Sequence, residues 1–138
     1  MGSAPRKIVF CVDDNVDVLN ALRRQLRRGL AGKARIEVAS GASMALDRME
    51  MLSSQERVAI VIVSDWLMPN MRGDEFIAEV ERRFGQLPVL VLSGHITPEA
   101  EASMKDKPQV LEVMPKPWPD DLLLKHVHEA LESLDTNA

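Results

Sequence analysis

Five polar side chains in this sequence stand at or just past the end of short apolar runs. They are Asp13 and Asp14 after Ile8–Val12, Asp65 after Val58–Val63, Ser93 after Val89–Leu92, and Lys116 after Gln109–Met114. Three carboxylates gathered in one place repel one another, and at least one would keep its proton unless a cation neutralised the set. Mg2+ suits such a set: it is a hard ion that takes one or two carboxylates, keeps several waters and leaves room for phosphate oxygens. A lysine adds a permanent point charge that phosphate binds, and a serine hydroxyl can donate one hydrogen bond to a phosphoryl oxygen. Taken singly, each residue reads as a cap or turn residue, and Lys116 in Met114-Pro115-Lys116-Pro117 reads as a solvated loop charge. Phosphate chemistry follows only if the fold brings all five together.

The patterning calls for such a fold. Ile8–Val12, Val58–Val63 and Val89–Leu92 are short, β-branched and almost continuously apolar, as strands covered on both faces must be. Arg35–Ala39 and Gln109–Met114 mix polar residues among apolar ones and belong at the sheet edges. Between these runs the period lengthens to three or four: Leu19, Leu22, Leu26, Leu30; then Ala42, Ala45, Met49, Leu52; then Phe76 or Ile77, Val80, Phe84; and last Leu123, Val127, Ala130 or Leu131, Leu134. Thr97-Pro98-Glu99 reads as an N-cap, a proline at the first helical position and a dipole-favoured acid, opening a fourth helix over 97–106 with the weakest apolar stripe. Strand and helix alternate five times, which predicts a five-stranded parallel doubly wound α/β sheet with helices on both faces. Sites in such sheets lie at the carboxyl ends of the strands, where all five polar residues fall.

Composition narrows the classes further. At 138 residues and 46% hydrophobic content, the chain holds one full core, and we expect a single domain over 1–138 with its core at 6–134 and short tails. A net charge of -4 gives no basic excess for nucleic acid. No apolar stretch reaches the length of a membrane span and the first residues lack a signal-peptide pattern, so a reducing, cytoplasmic setting is expected. Cys11, inside an apolar run, is read as a small buried hydrophobe. Arg23, Arg24, Arg27 and Arg28 form a solvated helix face, Trp118 anchors the final helix, and His126 and His128 point apart. Trp66 is read as a partly exposed lip beside Asp65.

Val12-Asp13-Asp14, Ser64-Asp65-Trp66-Leu67-Met68-Pro69 with Gly73, Leu92-Ser93-Gly94 and Lys116-Pro117 together resemble the response-regulator receiver family over nearly the whole chain. The resemblance implies a flavodoxin-like fold of strand order 2-1-3-4-5. It implies that Asp65 is the phosphoacceptor, and that Asp13, Asp14, Asp65 and the Leu67 backbone carbonyl hold Mg2+, for which Mn2+ could substitute. Ser93 and Lys116 would contact the phosphoryl group, with a cis peptide before Pro117. Gly94, His95, Val113 and Pro117 occupy the switch and flanking positions; Val113 stands where many receivers carry an aromatic residue. The implied donor is a sensor histidine kinase or a histidine phosphotransfer protein, and the implied product is a switched surface for an output partner, the receiver being a monomer or a phosphorylation-dependent dimer. A pseudo-receiver would lack phosphorylation despite this fold. A Mg-dependent aspartyl phosphatase would need an acid two residues beyond the nucleophile, where this chain has Leu67.

Overall fold

A computed structural model describes residues 4–136. Ten elements alternate strictly: β1 (Arg6–Val12), α1 (Val16–Leu30), β2 (Arg35–Ala39), α2 (Ala42–Gln55), β3 (Val58–Asp65), α3 (Gly73–Phe84), β4 (Val89–Ser93), α4 (Pro98–Lys105), β5 (Val110–Pro115) and α5 (Asp120–Thr136). All five strands join one parallel sheet in the order β2-β1-β3-β4-β5, with the three most apolar runs at its centre and the two mixed runs at its edges. Strand order reverses between β1 and β3, which opens a crevice at their carboxyl ends.

Because side chains alternate across a strand, each central strand feeds two cores. Ile8, Phe10, Val12, Ile60, Ile62, Val89 and Val91 face Ala45, Met49, Phe76 and Ile77 of α2 and α3. Val9, Cys11, Val61, Val63, Leu90 and Leu92 face Leu22, Leu26, Leu123 and Val127 of α1 and α5. The helical stripes read from the sequence are the buried faces, including Leu19, Leu22, Leu26 and Leu30 of α1. In α4 only Met104 is buried, so its docking is the thinnest of the five. A register shift in the β4–β5 pairing, between Val89 and Leu90, leaves Leu111 without a partner across the ladder and exposed.

Local chemistry sets the element ends. Asn15 caps α1, its side-chain oxygen accepting from the backbone N–H of Asp17 at 2.9 Å and of Val18 at 3.3 Å. Thr97 caps α4 in the same way through the Ala100 N–H at 3.1 Å. Gly73 opens α3 where the backbone must approach Trp66 closely: its N–H donates to the Trp66 carbonyl at 2.8 Å, and a Cβ there would fall 2.9 Å from the indole Cε3. α5 continues to Thr136, beyond the expected end near Leu134, so the last four residues are not all a loose tail. Of the expected tails, residues 4–5 precede β1 without regular structure, and residues 1–3 and 137–138 lie outside the described residues. No helix among the described residues is long and apolar enough to cross a membrane.

Candidate functional site

The strands deliver their polar ends to one place. Asp13 follows the last residue of β1 and is almost fully buried, while Asp14 beside it is exposed. Asp65 ends β3 and Ser93 ends β4, both buried; Lys116 follows β5. Carboxylate oxygens of Asp13, Asp14 and Asp65 all lie within 4.8 Å of one another, the only group of this kind among the described residues that could hold a metal ion. The Lys116 ammonium reaches into this group, 2.6 Å from Asp13 Oδ2 and 3.0 Å from Asp65 Oδ1. Asp13 Oδ1 accepts the Asn15 backbone N–H at 2.8 Å.

The electrostatics follow from this crowding. Burial raises the Asp65 carboxyl above its ordinary range; the Lys116 hydrogen bond opposes that, the Asp13 charge adds to it, and the Lys116 charge and a hydrogen bond from the Leu67 backbone N–H work against it. Burial works against the Lys116 charge, but its hydrogen bonds to Asp13 and Asp65, and their charges, outweigh it and raise its pKa. A single lysine thus stands against three acids, a set whose charge and all-oxygen donors fit a hard divalent ion.

The remaining residues singled out from the sequence occupy the rim. Ser93 Oγ accepts the His95 backbone N–H at 3.2 Å, so its hydroxyl is engaged with the loop after β4. Gly94 and His95 are exposed on that loop, and no atom lies within 4 Å of where a Gly94 Cβ would be. Ser93, Gly94 and His95 share a cleft of about 340 Å³ with Ile96, Glu101 and Val113. The Leu67 side chain is exposed beside Asp65, and Trp66 is half-buried against the α2–α3 core, as a lip residue should be. The Lys116–Pro117 peptide is cis. Trp118 packs on the α1–α5 core and holds the start of α5, while His126 faces Glu112 and Glu129, and His128 lines a separate hollow with Lys7 and Lys33. Two contacts escape a reading of the sequence. Asn15 carries a signal, a capping residue directly before a helix; the pairing of Gln25 with Trp118 carries none, because the two are far apart in the chain.

Comparison with known proteins points the same way. The family model described as the response regulator receiver domain matches residues 9–128. The hydrogenase transcriptional regulatory protein HoxA of Cupriavidus necator is 30% identical over 125 residues, covering 91% of this chain and 24% of that protein. The DNA-binding transcriptional regulator NtrC of Escherichia coli is 29% identical, covering 91% of this chain and 25% of its own length. This chain therefore spans about a quarter of the length of these two curated relatives. Among solved structures, the Vibrio cholerae chemotaxis protein CheY4 superposes with a TM-score of 0.73 at 28% identity, covering 92% of this chain and 99% of that one. The receiver domain of an HD domain-containing protein from Pseudomonas fluorescens shares the fold, with a TM-score of 0.79 at 22% identity over 95% of this chain and 98% of that one. With the acids and lysine of this site at the carboxyl edge of a sheet so ordered, the chain belongs to the response regulator receiver domain family.

Proposed function

We propose that this receiver accepts a phosphoryl group on Asp65 from a phosphohistidine and uses the resulting charge to alter its surface for an output partner. The observation that carries the reading is the placement of Lys116 Nζ between Asp13 and Asp65 within a cluster of three carboxylates. Asp13, Asp14, Asp65 and the Leu67 backbone carbonyl are the groups that would hold Mg2+. Mg2+ supplies positive charge to the oxygens of the transferring group when bound.

Each residue then has a defined task. An oxygen of Asp65 attacks phosphorus in line, forming the acyl phosphate as the bond from phosphorus to the donor imidazole nitrogen breaks. Lys116, already charged and already beside Asp65, neutralises part of the new negative charge. Ser93 leaves the His95 N–H and turns its hydroxyl to a phosphoryl oxygen, so that the loop from Gly94 to Thr97 is released to move with α4. Exposed Leu67 and His95 flank the path by which water would reach the acyl phosphate. The donor on this reading is a sensor histidine kinase or a histidine phosphotransfer protein. The relatives HoxA and NtrC are transcriptional regulators by name, which favours gene control as the output.

The test is intact mass after incubation with acetyl phosphate and Mg2+, for the wild type and Asp65→Asn. A phosphoryl adduct on the wild type alone is expected. An adduct on both proteins would reject Asp65 as acceptor, and an adduct on neither would favour a pseudo-receiver.

A further inference from the structure

We propose that Gln25, on α1, is a positioning residue for Lys116. This rests on the reading above in which Lys116 meets the transferring group. Gln25 Oε1 accepts the Trp118 indole Nε1–H at 2.7 Å, and Gln25 Nε2 donates to Asp120 Oδ1 at 2.9 Å. One side chain thus grips both ends of the segment 118–120 that follows the lysine.

The segment needs such a grip. Pro117 and Pro119 have no N–H, so half of the four residues after Lys116 cannot be tied down by donating backbone hydrogen bonds. On its strand side Lys116 is fixed, its N–H donating to the Ser93 carbonyl at 3.0 Å. On its other side the side-chain anchors are the two bonds to Gln25, beside one backbone bond in which the Pro119 carbonyl accepts the Leu123 N–H at 3.1 Å. A lysine stem has four rotatable bonds, so the ammonium finds both carboxylates only if its backbone is held still. A displacement of about 1 Å at a reacting centre is enough to cost a large factor in rate.

The placement of α1 makes it a suitable strut. Its cap residue, Asn15, donates its N–H to Asp13 Oδ1 at 2.8 Å, so the helix that holds Trp118 also touches the carboxylate with which Lys116 pairs. One turn after Gln25, Gly29 lets α1 lie directly on α5, for a Cβ there would collide with the Leu124 side chain. The chemistry singles out glutamine: its amide accepts from the indole and donates to the carboxylate at once, and glutamate can do only the first.

The experiment uses the full chain and three variants, Gln25→Leu, Gln25→Glu and the pair Gln25→Glu with Asp120→Asn. Rates of phosphorylation by acetyl phosphate at saturating Mg2+ are compared with Mg2+ affinity from calorimetry. Gln25→Leu should phosphorylate about fivefold more slowly, the rate carrying the net worth of one of the two ordinary hydrogen bonds it loses, with Mg2+ affinity undiminished. Gln25→Glu should fall similarly, and the pair should recover, because the amide introduced at position 120 can donate to the new carboxylate. An unchanged rate in Gln25→Leu would overturn the proposal. So would a loss of rate and Mg2+ affinity together that the pair does not restore, which marks general loosening. A wild type that gains no phosphoryl group overturns the Asp65 reading and this role with it. A phosphorylated wild type beside an equally fast Gln25→Leu overturns this role alone.

Discussion

The Lys116 ammonium lies closer to Asp13, at 2.6 Å, than to Asp65, at 3.0 Å. A divalent cation held by this cluster would share the Asp13 and Asp65 carboxylates with the lysine. Lys116 offsets one of the three acidic charges, and among the described residues no buried side-chain nitrogen or oxygen lacks a hydrogen-bond partner. On the proposed reading, a cation held by Asp13 would weaken the hold of Lys116 on that carboxylate and leave the ammonium to its partner Asp65.

Replacement of Lys116 separates the two roles. Lys116→Met should tighten Mg2+ binding by about thirtyfold, since a single and a double charge about 4 Å apart repel by about 2 kcal/mol even in high dielectric. The same variant should slow phosphoryl transfer by about a hundredfold, the usual loss when one charge-stabilising group is removed. Calorimetry and acetyl phosphate kinetics on one preparation give both numbers. Weaker Mg2+ binding in the variant would count against the competition.

The central strands and the stripes of the long helices are plain in the sequence because burial on two faces, or on one helical face, leaves a period that few other constraints produce. Asp13, Asp65, Ser93 and Lys116 are legible for the same reason, each sitting at the end of a readable strand. Their partners are harder to read. Sequence pattern points Lys116 toward an incoming phosphoryl group, yet it pairs first with Asp13, from the other end of the chain. Gln25 gives no local signal because its partners, Trp118 and Asp120, are joined to it only by the packing of α1 on α5. Edge position implies partial protection of polar residues, yet Glu37 on β2 is buried, covered by two arginine side chains that no periodicity reveals.

Cys11 should be inert. Burial pushes its thiol up to about 12, with the Arg23 charge opposing weakly, so no thiolate forms near neutral pH. At pH about 8, where a free thiol near its ordinary pKa is partly ionised, the native protein should resist alkylation and the unfolded protein should label fully at its single cysteine. Rapid labelling of the native state would place Cys11 outside the core. Cys11→Ser should cost about 2 kcal/mol, because a hydroxyl would be buried without a ready partner.

Helix α3 carries an acid-sensitive pair of contacts. Arg82 and Arg83 both bond to Glu79 and hold its carboxyl down at about 2, against an ordinary value of 4.5. A depressed pKa in the folded state adds stability above the ordinary value, and that stability is lost as pH falls from 4.5 toward 2. The melting temperature of the wild type should exceed that of Glu79→Gln at neutral pH, and the gap should close through that acid window and shrink in high salt. A gap independent of pH would mean that the glutamate acts through packing.

Helix α4 should open before its neighbours. Met104 is its single buried side chain, so Met104→Ala should remove about 3 kcal/mol of docking with little effect elsewhere. Hydrogen exchange should then accelerate over 98–105 and stay slow in α1 and α5. On the proposed mechanism, phosphorylation should also change exchange over 94–107 in the wild type, and an unchanged profile there would leave the Ser93 loop without a role in the output.

The arginine cover of Glu37 gives an asymmetric prediction. Glu37 is 8% exposed, whereas the side chains of Arg35 and Arg48, which pair with it from β2 and α2, are 42% and 47% exposed. Removal of the acid returns two guanidinium groups to water they already touch, so Glu37→Gln should cost about 1 kcal/mol or less. Removal of both arginines strands a desolvated carboxylate at the sheet edge, so the pair Arg35→Ala with Arg48→Ala should cost about 3 kcal/mol. Urea unfolding at neutral pH compares them directly. The order of the two losses carries the argument: were the acid the costlier one to lose, the arginines would be held by the glutamate, and β2 would owe its place at the edge to a surface ion pair instead of to the cover over a buried charge.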